Sequence, residues 1–180
     1  MKYKCYYPFE KEMMNLIKEE WNKLHKQYPT IKKYAFVKKA ISWDFNGDDD
    51  DISPMFTVTK YKDIPNSDFV EVDYYQIMID LLAMVTLTFE GLPSTEEGSK
   101  DPRHIVHRCL RHEIRHIMQF EELAKWYNKN VIGILEEFYI NLYEEDAVEF
   151  ETKDIPIDVF LNKVNYNLLL RDADPNMART

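Results

Sequence analysis

The residues of this chain whose types and spacing could do chemistry are His112, Glu113 and His116, in the pattern His-Glu-x-x-His. On a helix, residues four apart lie on the same face about one turn from each other. Both imidazoles could therefore bind one zinc ion through a nitrogen atom at ~2 Å. Glu113 would lie about 100° around the helix, beside the metal without having to bind it. A carboxylate at that place could take a proton from a water molecule whose pKa zinc lowers to about 7.

A chance occurrence and an ordinary helix with two histidines are the other interpretations of so short a motif. The residues around it favour the metal site, because they predict one long helix. Asp101 is a typical N-cap, Pro102 suits the first helical position, and no Gly or Pro follows until Gly133, so the helix should run to about Tyr127. Apolar residues lie on both sides of it: Ile105, Cys109, Phe120 and Leu123 with the histidines, and Leu110, Ile114 and Ile117 opposite. We therefore expect a helix buried on both sides, with its histidines in water-poor surroundings.

No histidine follows the motif, so a site whose third ligand is a downstream histidine is excluded. Carboxylates are plentiful on a second apolar-rich segment, Val131 to Phe150, whose glutamates include Glu136, Glu137, Glu144 and Glu145. With these features the chain resembles the gluzincin metallopeptidases, in which the motif helix supplies two histidines and a later helix supplies a glutamate. The resemblance covers roughly residues 101 to 151. Within it, the run Tyr143 to Ala147 is similar to the family's Glu-x-x-Ala element, and Gln119 is similar to a residue of several groups, including phage-associated ones.

Glu144 is the predicted third ligand, ahead of Glu145 and then Glu136. Ala147 follows Glu144 at the spacing of several short gluzincin families, in which a small residue lets the glutamate helix approach the motif helix closely. On a regular helix Glu144 would share a face with small or apolar residues, namely Gly133, Ile140 and Val148. Glu145 would point about 100° away. Glu136 lacks the Asn-x-Glu context of the thermolysin-like members, and solvation of all these glutamates stays open as an alternative.

The resemblance implies a zinc-dependent metallopeptidase that hydrolyses a peptide or protein substrate. His112, His116 and Glu144 would bind Zn²⁺, while Glu113 would act as general base and pass its proton to the leaving amine. The donor to the oxyanion is left open among three residues: Tyr139, Tyr143 and Arg115. Two other classes of function stay open, a non-catalytic zinc-binding inhibitor or adaptor on a zincin-like scaffold, and a metal-free helical interaction protein. A purely structural zinc site has no use for a base at Glu113, which counts against the first class, and metal analysis would separate the second.

The composition predicts one domain over residues 1–180. Hydrophobic residues make up 45% of the chain and aromatic residues 14%, which suffices for a sizeable core. A net charge of −9 argues against a general nucleic-acid binder. Cys5 and Cys109 are too few for a disulfide scaffold, and the polar N-terminus lacks the apolar segment of a signal peptide. We therefore expect reduced thiols and a cytoplasmic protein, bacterial or phage-encoded, whose oligomeric state is not predicted.

The remaining pattern predicts the α+β class, as a minimal zincin-like domain in which a small three-stranded sheet packs with helices. Helices are predicted at Glu10 to about Gln27, at Tyr74 to about Glu90, and from Asp154-Ile155-Pro156 onward, before a polar tail at residues 172–180. Strands are predicted at Tyr34 to Phe45, Met55 to Tyr61 and Asp68 to Asp73.

Two further predictions concern the most apolar helix and the edge of the sheet. The run Ile77 to Phe89 contains Asp80 and is shorter than the ~20 residues that span a bilayer, so we expect a buried helix and no membrane anchor. The resemblance implies that an edge of the sheet aligns an extended peptide by strand addition. Both Met55 to Tyr61 and Asp68 to Asp73 are candidates for that edge.

Overall fold

The computed structural model describes residues 7–28, 31, 34–38, 54–81, 83–84 and 101–173. The elements with defined bounds are, in chain order, α1 (Tyr7–Gln27), β1 (Tyr34–Lys38), β2 (Met55–Asp63), β3 (Val70–Ile79), α2 (Pro102–Trp126), α3 (Lys129–Phe138), α4 (Ile140–Phe150) and α5 (Ile157–Ala173). The predicted α+β class is confirmed. Within the described residues, no helix combines the length and apolar character that a membrane span requires.

The chain divides into two compact units. The first unit consists of Met1–Val58 and Tyr75–Glu113, and the second of Thr59–Tyr74 and Ile114–Thr180. The division falls inside α2, directly after Glu113, so this one continuous helix contributes residues to both units. The prediction of a single domain over the whole chain stays a prediction.

Helix α1 supplies much of the core of the first unit. Its buried residues recur at intervals of three and four, which places them on one face: Met13, Met14, Ile17, Trp21 and Leu24. The ring of Trp21 meets the ring of Phe36 on β1 edge to face, with 5.2 Å between their centres. The predicted helix is confirmed, and it begins three residues earlier than predicted, at Tyr7.

Strand β3 lies in the middle of a three-stranded sheet with the order β1-β3-β2. Residues 34–38 of β1 run parallel to residues 75–79 of β3. Strand β2 is therefore an edge of the sheet that the described strands form. A tight turn joins β2 to β3: Asn66 has a φ of 60°, which asparagine tolerates, and the N–H of Ser67 donates to the carbonyl of Ile64 at 3.1 Å.

The third strand is longer than the sequence predicted. It continues from Val70 to Ile79, whereas the prediction ended it at Asp73 and began a helix at Tyr74. Alternate residues at the end of β3 are buried, namely Tyr75, Ile77 and Ile79, while Gln76 and Met78 between them are more exposed. This period of two belongs to a strand with one face in the core. The prediction of a helix starting at Tyr74 was therefore wrong.

The helix after β3 has Asp80, and not Asp73, at its start. The Asp80 carboxylate accepts a hydrogen bond from the N–H of Ala83 at 3.0 Å, and helical residues begin at Leu81. The sequence misled because an aspartate that suits an N-cap occurs at both positions. The remainder of this predicted helix, and the predicted strand beyond Lys38, lie outside the described residues.

The motif helix α2 has almost the predicted bounds. It begins at Pro102, where the carboxylate of Asp101 accepts the N–H of Arg103 at 2.9 Å, and it ends at Trp126. Buried apolar residues occur on both of its sides, namely Ile105 and Leu123 on one and Leu110, Ile114 and Ile117 on the other. The predicted burial on both sides is confirmed, and it requires most polar side chains of this helix to have partners.

The second apolar-rich segment forms two helices where the sequence predicted one continuous stretch. Tyr139 separates α3 from α4 with a φ of −127° and a ψ of 27°. Its N–H still donates to the carbonyl of Leu135, and its carbonyl accepts the N–H of Leu142, both at 3.0 Å. Neither Gly nor Pro stands at this break, so the pattern did not predict it.

Helix α5 completes the core of the second unit. It begins at Ile157, directly after Pro156, which confirms the predicted start. Its residues Phe160 and Val164 belong to a buried cluster with residues of β3 and the other helices, namely Val70, Leu123, Ile132, Leu135 and Tyr143. The helix continues to Ala173, so the tail predicted from residue 172 was placed too early, and residues 174–180 lie outside the described residues.

Candidate metal centre

His116 on α2 and Glu144 on α4 bring two potential ligand atoms together. The Nε2 atom of His116 lies 3.4 Å from Oε1 of Glu144. His112 precedes His116 by about one turn of the same helix, so both rings lie on one side of α2. One ligand atom from each of the three residues lies within 4.8 Å of the others. His116 is buried, but half of the Glu144 side chain is exposed, so water can reach the group from the side of the glutamate.

The three side chains have the chemistry of a zinc donor set. Zinc binds imidazole nitrogen and carboxylate oxygen at ~2.0–2.2 Å, which separates neighbouring ligands in a tetrahedron by roughly 3.3 Å. The distance between His116 and Glu144 already has about this value, and atoms up to 4.8 Å apart would have to approach by roughly 1.5 Å. Three protein ligands leave one position for water, as catalytic zinc sites do. Metal binding by this group stays a prediction.

Glu113 lies next to His112 in the sequence but is not a member of the ligand group. Its side chain is almost fully buried, and the hydroxyl of Thr57 on β2 donates to its Oε2 atom at 2.8 Å. This hydrogen bond holds one oxygen of the carboxylate in a fixed place. A carboxylate held in this way has the chemistry of a general base. No signal in the sequence pointed to Thr57, because a single threonine in a strand has no distinctive spacing.

A chain of buried hydrogen bonds starts at His116. Its Nδ1 atom lies 2.9 Å from Oε1 of Gln119. The Nε2 atom of Gln119 donates to the carbonyl of Tyr143 at 3.1 Å and to Oδ2 of Asp146 at 2.8 Å. Gln119 and Asp146 are fully buried. Gln119 therefore connects His116 to the helix that carries Glu144.

Arg115 completes this chain. Its Nε and Nη2 atoms donate to the two carboxylate oxygens of Asp146 at 2.6 and 3.0 Å. Its Nη1 and Nη2 atoms also donate to the carbonyls of Ile155 at 2.8 Å and Pro156 at 3.3 Å, and its guanidinium lies 4.9 Å from the centre of the Phe150 ring. These contacts occupy the buried guanidinium, so the expectation that Arg115 could donate to an oxyanion was wrong.

Of the three glutamates considered as third ligand, Glu144 is the one in the ligand group. Its neighbour Glu145 is exposed and lies outside that group. Glu136 has another partner, because the hydroxyl of Tyr61 lies 3.5 Å from its Oε1 atom. Burial raises the pKa of Glu136, although the hydrogen bond from Tyr61 opposes this rise. Burial, followed by the charge of Glu136, raises the pKa of Tyr61.

The prediction that Glu144 shares a helix-contact face with Gly133, Ile140 and Val148 was nevertheless wrong. Ile140 and Val148 are each about half exposed, and a side chain at Gly133 would meet no atom within 4 Å. The contact face of α4 contains instead Tyr143, Asp146, Ala147 and Phe150. Glu144 lies beside this face, next to buried Tyr143. The buried Ala147 has the position that the Glu-x-x-Ala element leads one to expect.

The two tyrosines considered as oxyanion donors have different surroundings. Tyr143 is buried between Phe120 and Phe160, with ring centres 5.9 and 5.4 Å away, and its hydroxyl has no hydrogen-bond partner among the described residues. Burial, followed by the charge of Glu136, raises the pKa of Tyr143, which keeps its proton on. Tyr139 is half-buried at the junction of α3 and α4. Neither geometry selects an oxyanion donor.

No protein-family model, curated protein or solved structure matches this chain. Its function must therefore be inferred from the side chains themselves. The structure brings His112, His116 and Glu144 together, and Glu113 is not a member of this group. It also adds three residues that the sequence did not assign to the site, namely Thr57, Asp146 and Gln119 in its hydrogen-bonded role.

Proposed function

We propose that this chain is a zinc-dependent metallopeptidase that hydrolyses peptide bonds, with His112, His116 and Glu144 as ligands and Glu113 as general base. One observation carries the proposal: two histidines and a carboxylate lie together, and the residue after the first histidine is a buried glutamate that is not part of the group. A purely structural zinc site has four protein ligands, whereas this group has three members among the described residues. The open position favours catalysis over a non-catalytic adaptor.

The residues of the chain divide the chemistry between them. Zinc, when bound, would polarise the scissile carbonyl and acidify a water molecule. Glu113 accepts the proton of that water as the water attacks, and then donates it to the leaving amine nitrogen. The hydroxyl of Thr57, at 2.8 Å, keeps the carboxylate oriented during both transfers. Gln119 orients the ring of His116 through its Nδ1 atom.

Strand β2 is the proposed place where an extended peptide binds. It is an edge of the described sheet, whereas β3 lies in the middle and has both sides paired. Thr57 belongs to β2 and contacts Glu113, so a peptide added to this edge would pass close to the base. These two observations favour Met55–Asp63 over the second candidate edge.

Metal analysis tests the first part of the proposal. Purified protein should contain close to one zinc ion per chain, and His112→Ala or His116→Ala should largely remove it, because each loses one of three ligands. Elemental analysis after dialysis measures the content. Glu144→Ala should lower the zinc content for the same reason. Glu145→Ala is its matched control, because it removes an adjacent exposed glutamate. Stoichiometric zinc in the double histidine variant would contradict the proposed site.

Digestion of denatured casein tests the second part. Glu113→Gln keeps the volume of the side chain but removes its basicity, so zinc should stay while hydrolysis falls about 10²-fold or more. Glu121→Gln makes the same exchange elsewhere on α2 and should leave the rate unchanged. Equal rates for Glu113→Gln and wild type would refute the mechanism. Zinc binding without hydrolysis in the wild type would favour the adaptor.

A further inference from the structure

The amide of Gln119 can have only one orientation. Its nitrogen faces two acceptors, the carbonyl of Tyr143 at 3.1 Å and the carboxylate of Asp146 at 2.8 Å. Only an NH₂ group can donate to both. A reversed amide would place its oxygen against these two oxygens inside a fully buried site. The carbonyl oxygen of Gln119 must therefore face Nδ1 of His116.

This orientation decides where the proton of His116 lies. An amide oxygen carries no hydrogen, so the hydrogen bond of 2.9 Å requires a proton on Nδ1. In the neutral ring, Nε2 then carries the lone pair. Nε2 is also the atom that lies 3.4 Å from Oε1 of Glu144. The nitrogen on the side of the proposed metal is thus the one that can bind it.

Asp146 and Arg115 hold the amide in this orientation. Oδ2 of Asp146 accepts from Nε2 of Gln119 and from Nε of Arg115, at 2.8 and 2.6 Å. A buried ion pair often adds no stability over an apolar pair of the same volume. Stability alone therefore does not explain this pair. Asp146 accepts directly from Gln119, and Gln119 in turn contacts His116. The position of the ion pair is explained by the orientation that it imposes on the Gln119 amide.

We propose that Gln119 is a positioning residue, which Asp146 and Arg115 hold in place, and that it fixes His116 as the tautomer protonated on Nδ1. The purpose of this arrangement, to present Nε2 to a metal, rests on the proposed function. The tautomer itself does not, because the hydrogen bonds that set it need no metal.

Nitrogen NMR of the metal-free, full-length protein with labelled histidine reads the tautomer directly. His116 should be protonated on Nδ1 in the wild type. Gln119→Met keeps the length of the side chain but removes the acceptor, so the ring should shift toward the Nε2-protonated form that histidine favours in water. Gln76→Met on β3 makes the same exchange away from this chain of hydrogen bonds, and it should leave the His116 signals unchanged.

Competition between the protein and a zinc chelator gives a second result. Gln119→Met should weaken zinc binding about 10- to 100-fold, as the loss of such a partner does at other sites. Wild-type His116 protonated on Nε2 alone, or an unchanged tautomer in Gln119→Met, would overturn the proposal. If that variant does not fold, the wild-type spectrum still decides. A wild type that binds no zinc would overturn the proposed function instead, so the two failures are distinct.

Discussion

Helix α2 carries two arginines that pair with carboxylates on other helices, in two very different environments. Arg103, in the first unit, donates to Glu19 and Glu20 of α1, each at 3.1 Å. Arg115, in the second unit, donates to both oxygens of Asp146 on α4. About half of the Arg103 side chain is exposed, whereas Arg115 and Asp146 are fully buried. The charges therefore meet once at the surface, where Glu20 alone is buried, and once fully inside the core.

The difference shows what burial does to an ion pair. Water screens the pair at Arg103 and competes for its atoms, so the pair holds α1 and α2 together only weakly. At Arg115 the charges lose their hydration, and every hydrogen bond must come from the protein. Such a pair permits one arrangement of its neighbours, which include Gln119 and, through it, His116. The first pair is a helix contact and the second is part of the site.

The largest expected effect is that of Asp146→Ala. It leaves the guanidinium of Arg115 buried without a counter-charge, which costs about 3–5 kcal/mol of unfolding free energy. In a protein of this size that lowers the unfolding temperature by roughly 6–20 °C. Circular dichroism during heating and in urea measures both quantities. Arg103→Ala is the matched control, and an equal loss in the two variants would contradict the comparison.

A double replacement separates stability from positioning. Arg115→Met combined with Asp146→Leu removes both charges and fills the space with apolar atoms, so it should recover most of the stability that Asp146→Ala loses. Zinc affinity should not recover, because Gln119 still lacks the carboxylate that holds its amide. Recovery of both would mean that the pair serves packing alone.

Much of the fold could be predicted because single elements have strong local patterns. Helix α1 and the Asp101-Pro102 start of α2 depend on neighbouring residues only, and both predictions were right. The end of β3 failed because residues 74–79 fit a helix as well as a strand, and only pairing with β1, far away in the sequence, decides between them. The break at Tyr139 likewise depends on packing.

The residues of the candidate site likewise include some that local spacing predicts and one that depends on a distant partner. His112, Glu113 and His116 have a spacing that can be recognised on one helix. Asp146 stands in an acidic run with Glu144 and Glu145, where any one of the three could be solvated. Its burial is decided by Arg115, which precedes it by 31 residues. A useful signal was present, because a charged residue inside a helix that is buried on both sides must find an opposite charge.

A smaller effect is expected at Glu20, whose side chain is buried although its partner Arg103 is about half exposed. Burial alone would raise the pKa of this carboxyl, but Lys23, Arg103 and His107 outweigh it and lower the pKa below its usual 4.5. The stabilisation is then present above that value and is lost as the pH falls through the lowered pKa. Glu20→Gln should lower the unfolding temperature by a few degrees at pH 7, and by less near pH 3.

Glu19→Gln is the control for this pH dependence. Glu19 contacts the same arginine, but more than half of its side chain is exposed. Its replacement should change the unfolding temperature little at either pH. A loss for Glu20→Gln that stays constant down to about pH 3 would show that its hydrogen bonds, and not its charge, matter.

The smallest effect is expected from Arg103→Ala, and its dependence on salt distinguishes the two regions most sharply. Charges in water are screened over about 10 Å at 0.1 M salt and about 3 Å at 1 M. The small loss of stability in Arg103→Ala should therefore vanish at about 1 M sodium chloride. The loss in Asp146→Ala should persist, because salt does not enter a pair with no exposed surface. Urea denaturation at low and high salt measures both. If the cost of Asp146→Ala also vanished, Arg115 would be reached by water, and the orientation of Gln119 would lose its anchor.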